Sequence, residues 1–353
     1  MITAPTDVDV VAVEDRTAVV VPPAPTSGAP QADENHTFLR AALLVCGLAF
    51  LVAYVGIALF RWRYPYELEW MEGGVLGHVH RVLDGQPLYG APSLRFTPFI
   101  YAPLYYYASA GVAWLLGPNL STLRLVSILG SVLALWAIYR LVTDETKSRW
   151  AGLIGACLFA ACFRLAGAWL DLARVDALFM GLLLAALVCV RGVASRRRAL
   201  VAGLLFGAAI LTKQEALLPS LAVLPFLWRR GPRLAATYGA ALAAAVAVPT
   251  LWLQNASHGW FLQYMVVLPT QHAIEKGSVL GFWAHDLVQP LAIAVLFAVA
   301  VLASMRGEAR RFYVPVVAAL ILASYSARLH TGGYDNVLLP AYAGVAIAFG
   351  IGC

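Results

Sequence analysis

Charge is what this 353-residue sequence has least of: 12% of its residues are Asp, Glu, Lys or Arg, where soluble domains carry about a quarter. Lysine is nearly missing, with Lys147, Lys213 and Lys276 standing alone among 25 basic residues; that bias is expected of a high-GC bacterial genome. Cys46, Cys157, Cys162, Cys189 and Cys353 all fall in apolar segments without paired spacing in a polar loop, which excludes a disulfide framework and marks them as small packing residues. His78 and His80 are two apart on an expected helix, hence on different faces, and the other histidines are dispersed, so no two-histidine metal site is expected. Walker A, glycine-rich dinucleotide and Ser-His-Asp patterns are all missing. There is no internal repeat and no segment that reads as a soluble domain.

What the sequence has is apolar length. Hydrophobic residues make up 61% of it and the mean hydropathy is +0.75. Runs of about 17 to 25 apolar residues recur, each able to cross a hydrocarbon core of about 30 Å. They fall near 38–60, 121–141, 150–169, 172–191, 199–212, 215–228, 233–253, 285–305, 311–327 and 337–353, which predicts an all-α polytopic membrane protein with about ten transmembrane helices. Residues 1–37, rich in Pro, Ala and Asp with Arg16 as the sole basic residue, are expected to form a disordered cytoplasmic tail, and 38–353 the transmembrane domain. The tail lacks the charged and apolar regions of a cleavable signal peptide, so 38–60 is expected to remain as an anchor. The last run stops at Cys353 without a polar tail, as expected of a shortened chain.

The net charge of +6 is not a nucleic-acid signature, because the basic residues sit in short loops. Arg140/Lys147/Arg149, Arg191/Arg196/Arg197/Arg198, Arg229/Arg230/Arg233 and Arg306/Arg310/Arg311 share one side, which the positive-inside rule makes cytoplasmic. The segment 101–117 is short for a span and rich in Tyr. If it lies along the interface, the 61–120 loop is outside; if it spans, that loop changes side, and charge alone does not choose.

Chemistry would need the few charges left. The 61–120 loop carries Glu67, Glu69 and Glu72 beside the membrane. Transfer of a sugar from a lipid phosphate needs a carboxylate to take the proton of the attacking hydroxyl and cations to stabilise the departing phosphate. The plainer alternative is a solvated acidic loop, with Glu72 at the positive end of a short helix. Charges at segment ends on the side opposite the basic loops are Arg174 and Asp176, Lys213-Gln214-Glu215, Arg328, and Asp335-Asn336 after Gly332-Gly333-Tyr334. A charge at a helix centre costs about 2.5–3.5 kcal/mol on insertion scales, which makes retained ones functional candidates, although those at helix ends also serve as interfacial anchors. Arg164 is a further candidate, with Asp171 as its expected structural partner.

The order of first apolar segment, acidic loop, Leu-Asp-Gly-Gln-Pro-Leu-Tyr (83–89) and Tyr-Ala-Pro-Leu-Tyr-Tyr-Tyr (101–107) resembles the GT-C superfamily of polyprenyl-phosphate-sugar-dependent glycosyltransferases, in particular the protein O-mannosyltransferase and aminoarabinose-transferase-like branch. Two positions depart from that pattern: Met71 stands where the Asp of an Asp-Glu pair belongs, and Ala102 replaces a Pro. The resemblance, over residues 38–345, implies a GT-C-type fold with an outer juxtamembrane loop and an active site on the outer face of a bacterial plasma membrane. It implies inverting transfer of a sugar from a polyprenyl-phosphate donor to a hydroxyl of a glycan, lipid or protein acceptor. Carried onto this sequence, Glu69 or Glu72 is the base, with Glu67 beside them. Lys213, Arg174 and Arg328 hold the donor phosphate, and Asp176, Tyr101, Tyr105, Gln214, Asp335 and Asn336 contact substrate. A divalent ion on Glu67, Glu69 and the phosphate is admitted but not required. The rival is a transporter or flippase of lipid-linked sugars, but transporters favour midplane ionisable sites and repeats, and here the charges sit at segment ends.

Overall fold

A computed structural model describes residues 29–353, with side chains from residue 37 onward. The tail expected over 1–37 therefore lies mostly outside the described residues. Leu43–Cys353 is one compact unit, and the described part of the other unit, Met1–Ala42, is the start of the first helix. The sixteen α-helices among the described residues are α1 (Ala29–Trp62), α2 (Glu72–Leu83), α3 (Leu104–Leu116), α4 (Leu120–Thr146), α5 (Arg149–Ala161), α6 (Val175–Arg191), α7 (Arg196–Ile210), α8 (Leu217–Ala222), α9 (Leu224–Arg230), α10 (Pro232–Ala256), α11 (Trp260–Leu262), α12 (Leu268–Thr270), α13 (Lys276–Gly281), α14 (Gln289–Ser304), α15 (Gly307–Arg328) and α16 (Leu339–Gly352). Two π-helical stretches, Gln263–Val267 and Phe282–Val288, interrupt the pattern.

Polar residues punctuate the apolar helices where backbone N–H groups would otherwise be orphaned. Asn119 Oδ1 accepts from Thr122 N at 3.0 Å, Ser148 Oγ from Ala151 N at 3.2 Å and Ser195 Oγ from Arg198 N at 3.3 Å, starting α4, α5 and α7. Lys147 closes α4 in the left-handed region, φ 61°.

The chain passes back and forth between two ends. At the upper end Trp62 donates to Ser121 O, Ser127 to Arg174 O, and Lys213 meets Asp176, so α1, α4, α6 and α7 meet there. At the lower end Arg191 reaches Glu145 and Arg230 reaches Glu308, joining α6 to α4 and α9 to α15. The loops expected on opposite faces thus lie at opposite ends.

Small residues allow the helices to close on one another, as they do in membranes. A Cβ on Gly130 would lie 2.6 Å from Leu178 N, and one on Gly181 2.5 Å from Gly130 O, so α4 and α6 touch backbone to backbone. Gly203 and Gly207 give α7 the same intimacy with α10, and Gly155 and Gly350 join α5 to α16.

Among the described residues, five helices are long and apolar enough to cross a membrane: Thr37–Trp62, Leu120–Thr146, Pro232–Ala256, Lys276–Ser304 and Asp335–Gly352. The other expected spans are helices that are shorter or more polar. α6, with 17 residues, reaches only about 25 Å at 1.5 Å per residue, and nearly all of it is buried among its neighbours. A helix surrounded by protein need not match the bilayer by itself. α3, with 13 residues, covers about 20 Å and does not cross on its own. In the window of Thr37–Trp62 only 11% is buried by protein, against 78% in Asp335–Gly352. The first is therefore mostly uncovered by the rest of the chain and the second lies at the centre of the bundle.

Candidate active site

The three glutamates of the acidic loop have three different fates. Glu67 is exposed and its carboxylate lies over Gly73 at the start of α2. Glu72, in the first turn of α2, is fully buried against an equally buried Arg124 from α4. Arg124 Nε and Nη2 donate to its two oxygens at 2.9 and 2.6 Å, and Ala173 N and Leu68 N donate at 2.7 Å each. Burial alone raises a carboxyl, but Arg124 and the two backbone donors outweigh it and hold Glu72 below its ordinary value. With every bonding direction used, Glu72 ties loop, α4 and the entrance to α6 together, and has no oxygen to offer a substrate.

Glu69 is arranged differently. Its Oε2 accepts from Arg174 Nη1 at 2.8 Å and Met71 N at 3.1 Å, while its Oε1 is buried without a partner. Arg174, the residue before α6, is 1% exposed and packs over Trp169 and Tyr101, 4.6 and 5.2 Å from the ring centroids. Its Nη2 donates to the Tyr101 hydroxyl at 2.7 Å, leaving the phenolic hydrogen to donate elsewhere; its Nε has no partner. Burial, Arg174 and the neighbouring charges Asp176, Lys213 and Glu215 act on Tyr101 together, with a net upward push, so it stays a neutral donor.

Beyond Tyr101 lies the second half of the cluster. Lys213 Nζ is 3.0 Å from Asp176 Oδ1 and 3.1 Å from Glu215 Oε1. Burial alone lowers an ammonium, but Asp176 and Glu215 more than reverse it and Lys213 is held above its usual value, fully charged. Asn336 Nδ2 donates to Asp176 Oδ1 at 2.9 Å, and Asp176 Oδ2 is buried without a partner. Glu69 Oε1, Arg174 Nε and Asp176 Oδ2 are thus unspent polar atoms in one cluster, where buried polar groups are otherwise satisfied.

Other expected site residues serve different contacts. Tyr105 is wholly buried and donates to Leu123 O at 2.8 Å, so it belongs to the α3–α4 core. Gln214 donates to Met265 O at 2.9 Å. Arg328 makes a bidentate pair with Asp286 at 2.8 and 3.0 Å and donates to Gly333 O at 2.6 Å, with Asp335 at 3.4 Å. Its charge is met and its fork filled by the 332–336 loop and the π-helical stretch. Asp171 pairs with Arg61 at 3.3 Å instead of Arg164, which is exposed; burial pushes the Asp171 carboxyl up to about 6, with Arg61 opposing.

A neutral His78 fastens the loop. Burial pushes its imidazole down to about 4, its Nδ1–H donates to Gly74 O at 2.7 Å, and Nε2 accepts from Phe99 N at 3.0 Å while Phe99 and Tyr106 stack on the ring. Of the oxygens admitted above for a divalent ion, Glu69 Oε2 already faces a guanidinium, and no group of three His, Cys, Asp or Glu able to hold a metal occurs among the described residues. Arg124, Trp169 and Asp286 are the contributors that sequence reasoning missed. Arg124 alone had a signal, as a charge four residues inside an apolar helix.

A helical bundle with membrane-length apolar helices thus gathers a carboxylate, a guanidinium, an ammonium and a phenol at one end, as the GT-C resemblance implies. The chain belongs to glycosyltransferase family 87, whose profile matches residues 99–351; the acidic loop precedes the matched region. Two crystal structures of ArnT from Cupriavidus metallidurans share the fold, one bound to undecaprenyl phosphate and one in the apo state, with TM-scores of 0.65 and 0.63 and 16% identity each. Both comparisons cover 86% of this chain, which spans 60% and 59% of the length of those two structures. A search of the curated proteins finds no match.

Proposed function

We propose that this membrane glycosyltransferase takes its sugar from a polyprenyl-phosphate donor and passes it to an acceptor hydroxyl at the outer face, with inversion. The observation that carries the reading is the partnerless Glu69 Oε1 beside the Arg174–Tyr101–Lys213 cluster. In this scheme Glu69 Oε1 takes the acceptor proton as the oxygen attacks the anomeric carbon, and the bond from that carbon to the phosphate oxygen breaks. Arg174 Nε and the third Lys213 N–H stabilise the departing phosphate with charge-assisted hydrogen bonds. Tyr101 and Asp176 Oδ2 orient the sugar, while Glu72, Asn336 and Arg328 hold the elements that carry these groups. Undecaprenyl phosphate in the ArnT structure supports the donor class. Basic loops gathered at the lower end support an outer location for the site.

A density map of the protein with polyprenyl phosphate tests this. The phosphate is expected in contact with Lys213 and Arg174; a phosphate bound away from both overturns the assignment.

A further inference from the structure

At the lower end the last turns of α4 and α6 and the tip of α9 enclose a cavity of about 300 Å³ that the active-site chemistry does not use. Among the residues lining it are Asp144, Lys147, Val188, Arg191, Gly192 and Arg230. α6 carries Asp176 in its first turn and Arg191 in its last, so about 23 Å of helix separates this cavity from the catalytic cluster. One head group cannot touch both.

The charges around it do not cancel. Arg191 is neutralised by the half-buried Glu145 at 2.6 Å, while Asp144, the one carboxylate in the lining, forms with Arg140 an exposed 3.0 Å pair that water screens. Lys147 Nζ donates only to a backbone carbonyl, Asp144 O at 2.6 Å, and pairs with no carboxylate among the described residues. Arg230 has Glu308, whose side chain is 54% exposed and whose attraction water screens. Two cations thus face a cavity large enough for a phosphate group. Trp150 and Trp228 flank it in sequence, next to Arg149 and Arg229, and such Trp-Arg placement marks the head-group level of a bilayer.

We infer that this cavity binds a phosphate anion through Lys147 and Arg230, with Arg191 fixed behind them by Glu145. The head group of an anionic phospholipid of the lower leaflet and a free phosphate both carry that chemistry.

The test titrates the purified full chain, solubilised in neutral detergent, with a short-chain phosphatidylglycerol and separately with inorganic phosphate, and compares Lys147→Ala/Arg230→Ala. Binding is expected in the wild type and a roughly tenfold or greater weakening in the double variant. Lys147→Ala alone, which breaks no ion pair, should weaken binding in the same direction. Saturation by phosphatidylglycerol only assigns a lipid head group, and equal saturation by inorganic phosphate assigns the free anion; either supports the site. Arg197→Ala/Arg306→Ala removes the same charge from two exposed positions that do not line the cavity. Equal loss in that variant, undiminished binding in Lys147→Ala/Arg230→Ala, or no binding of either probe by the wild type overturns the proposal.

Discussion

Two glutamates three residues apart, Glu69 and Glu72, illustrate how environment divides labour between like groups. Glu69→Gln keeps shape and hydrogen bonding to Arg174 but removes basicity; since a general base contributes about 10²- to 10⁴-fold, sugar transfer is expected to fall at least about a hundredfold while polyprenyl-phosphate binding persists. Glu67→Gln, at an exposed position, costs less. Glu72→Gln acts on stability instead. It leaves Arg124 buried and unmatched, so about 3–5 kcal/mol is expected to be lost, read as a lower unfolding temperature. Because the folded-state value of Glu72 is depressed, its contribution is present above the ordinary value of 4.5 and disappears as pH falls through the folded value. A well-folded but inactive Glu72→Gln variant would transfer the role of base to Glu72. Lys213→Ala and Arg174→Ala each remove a phosphate donor and should weaken lipid-phosphate binding; unchanged affinity in both moves the phosphate site elsewhere.

At the scale of elements, the site depends on how closely α4 and α6 approach. Gly130 lies against the backbone of Ala177 and Leu178, in the first turn of α6, directly after Arg174 and Asp176. A methyl group there meets backbone, which cannot rotate aside, so Gly130→Ala pushes the start of α6 away from α4. The expected result is an overpacking loss of about 1–3 kcal/mol together with reduced transfer, measured by thermal unfolding and turnover. A loss of neither would show that the two helices adjust without moving the site. The helices themselves were readable from apolar runs, and caps such as Asn119, Ser148 and Ser195 start them where polar residues interrupt those runs. Length was less readable: α6 and α7 look like spans in sequence, yet as 17- and 15-residue helices they depend on neighbours to complete the crossing.

For the whole molecule, the separation of basic loops from the acidic loop is a statement about orientation. In a background free of native cysteines, Ser93→Cys should react with an impermeant reagent in intact cells and Ser195→Cys should not; both positions are exposed. The reverse pattern would place the site on the cytoplasmic face.

The sequence by itself determined the solvent, the class and the list of chemically capable residues. Apolar runs with few charges are insoluble unless helical and lipid-covered, and each remaining charge must have a reason to stay. It also placed the Arg174, Lys213 and Asn336 motifs at one end, because loop charges alternate along the chain, whereas the acidic loop joined them only through the family resemblance. What it did not determine was which charge neutralises which. Glu69 meets Arg174 across 105 positions, and Asp176 meets Asn336 across 160. Such pairings have no local periodicity, since they arise when α4, α6 and the 332–336 loop converge. Only that convergence made Glu72 a buried tie with no free lone pair, left Glu69 with one oxygen open, and turned Arg328 from a free cation into a clasp on Asp286.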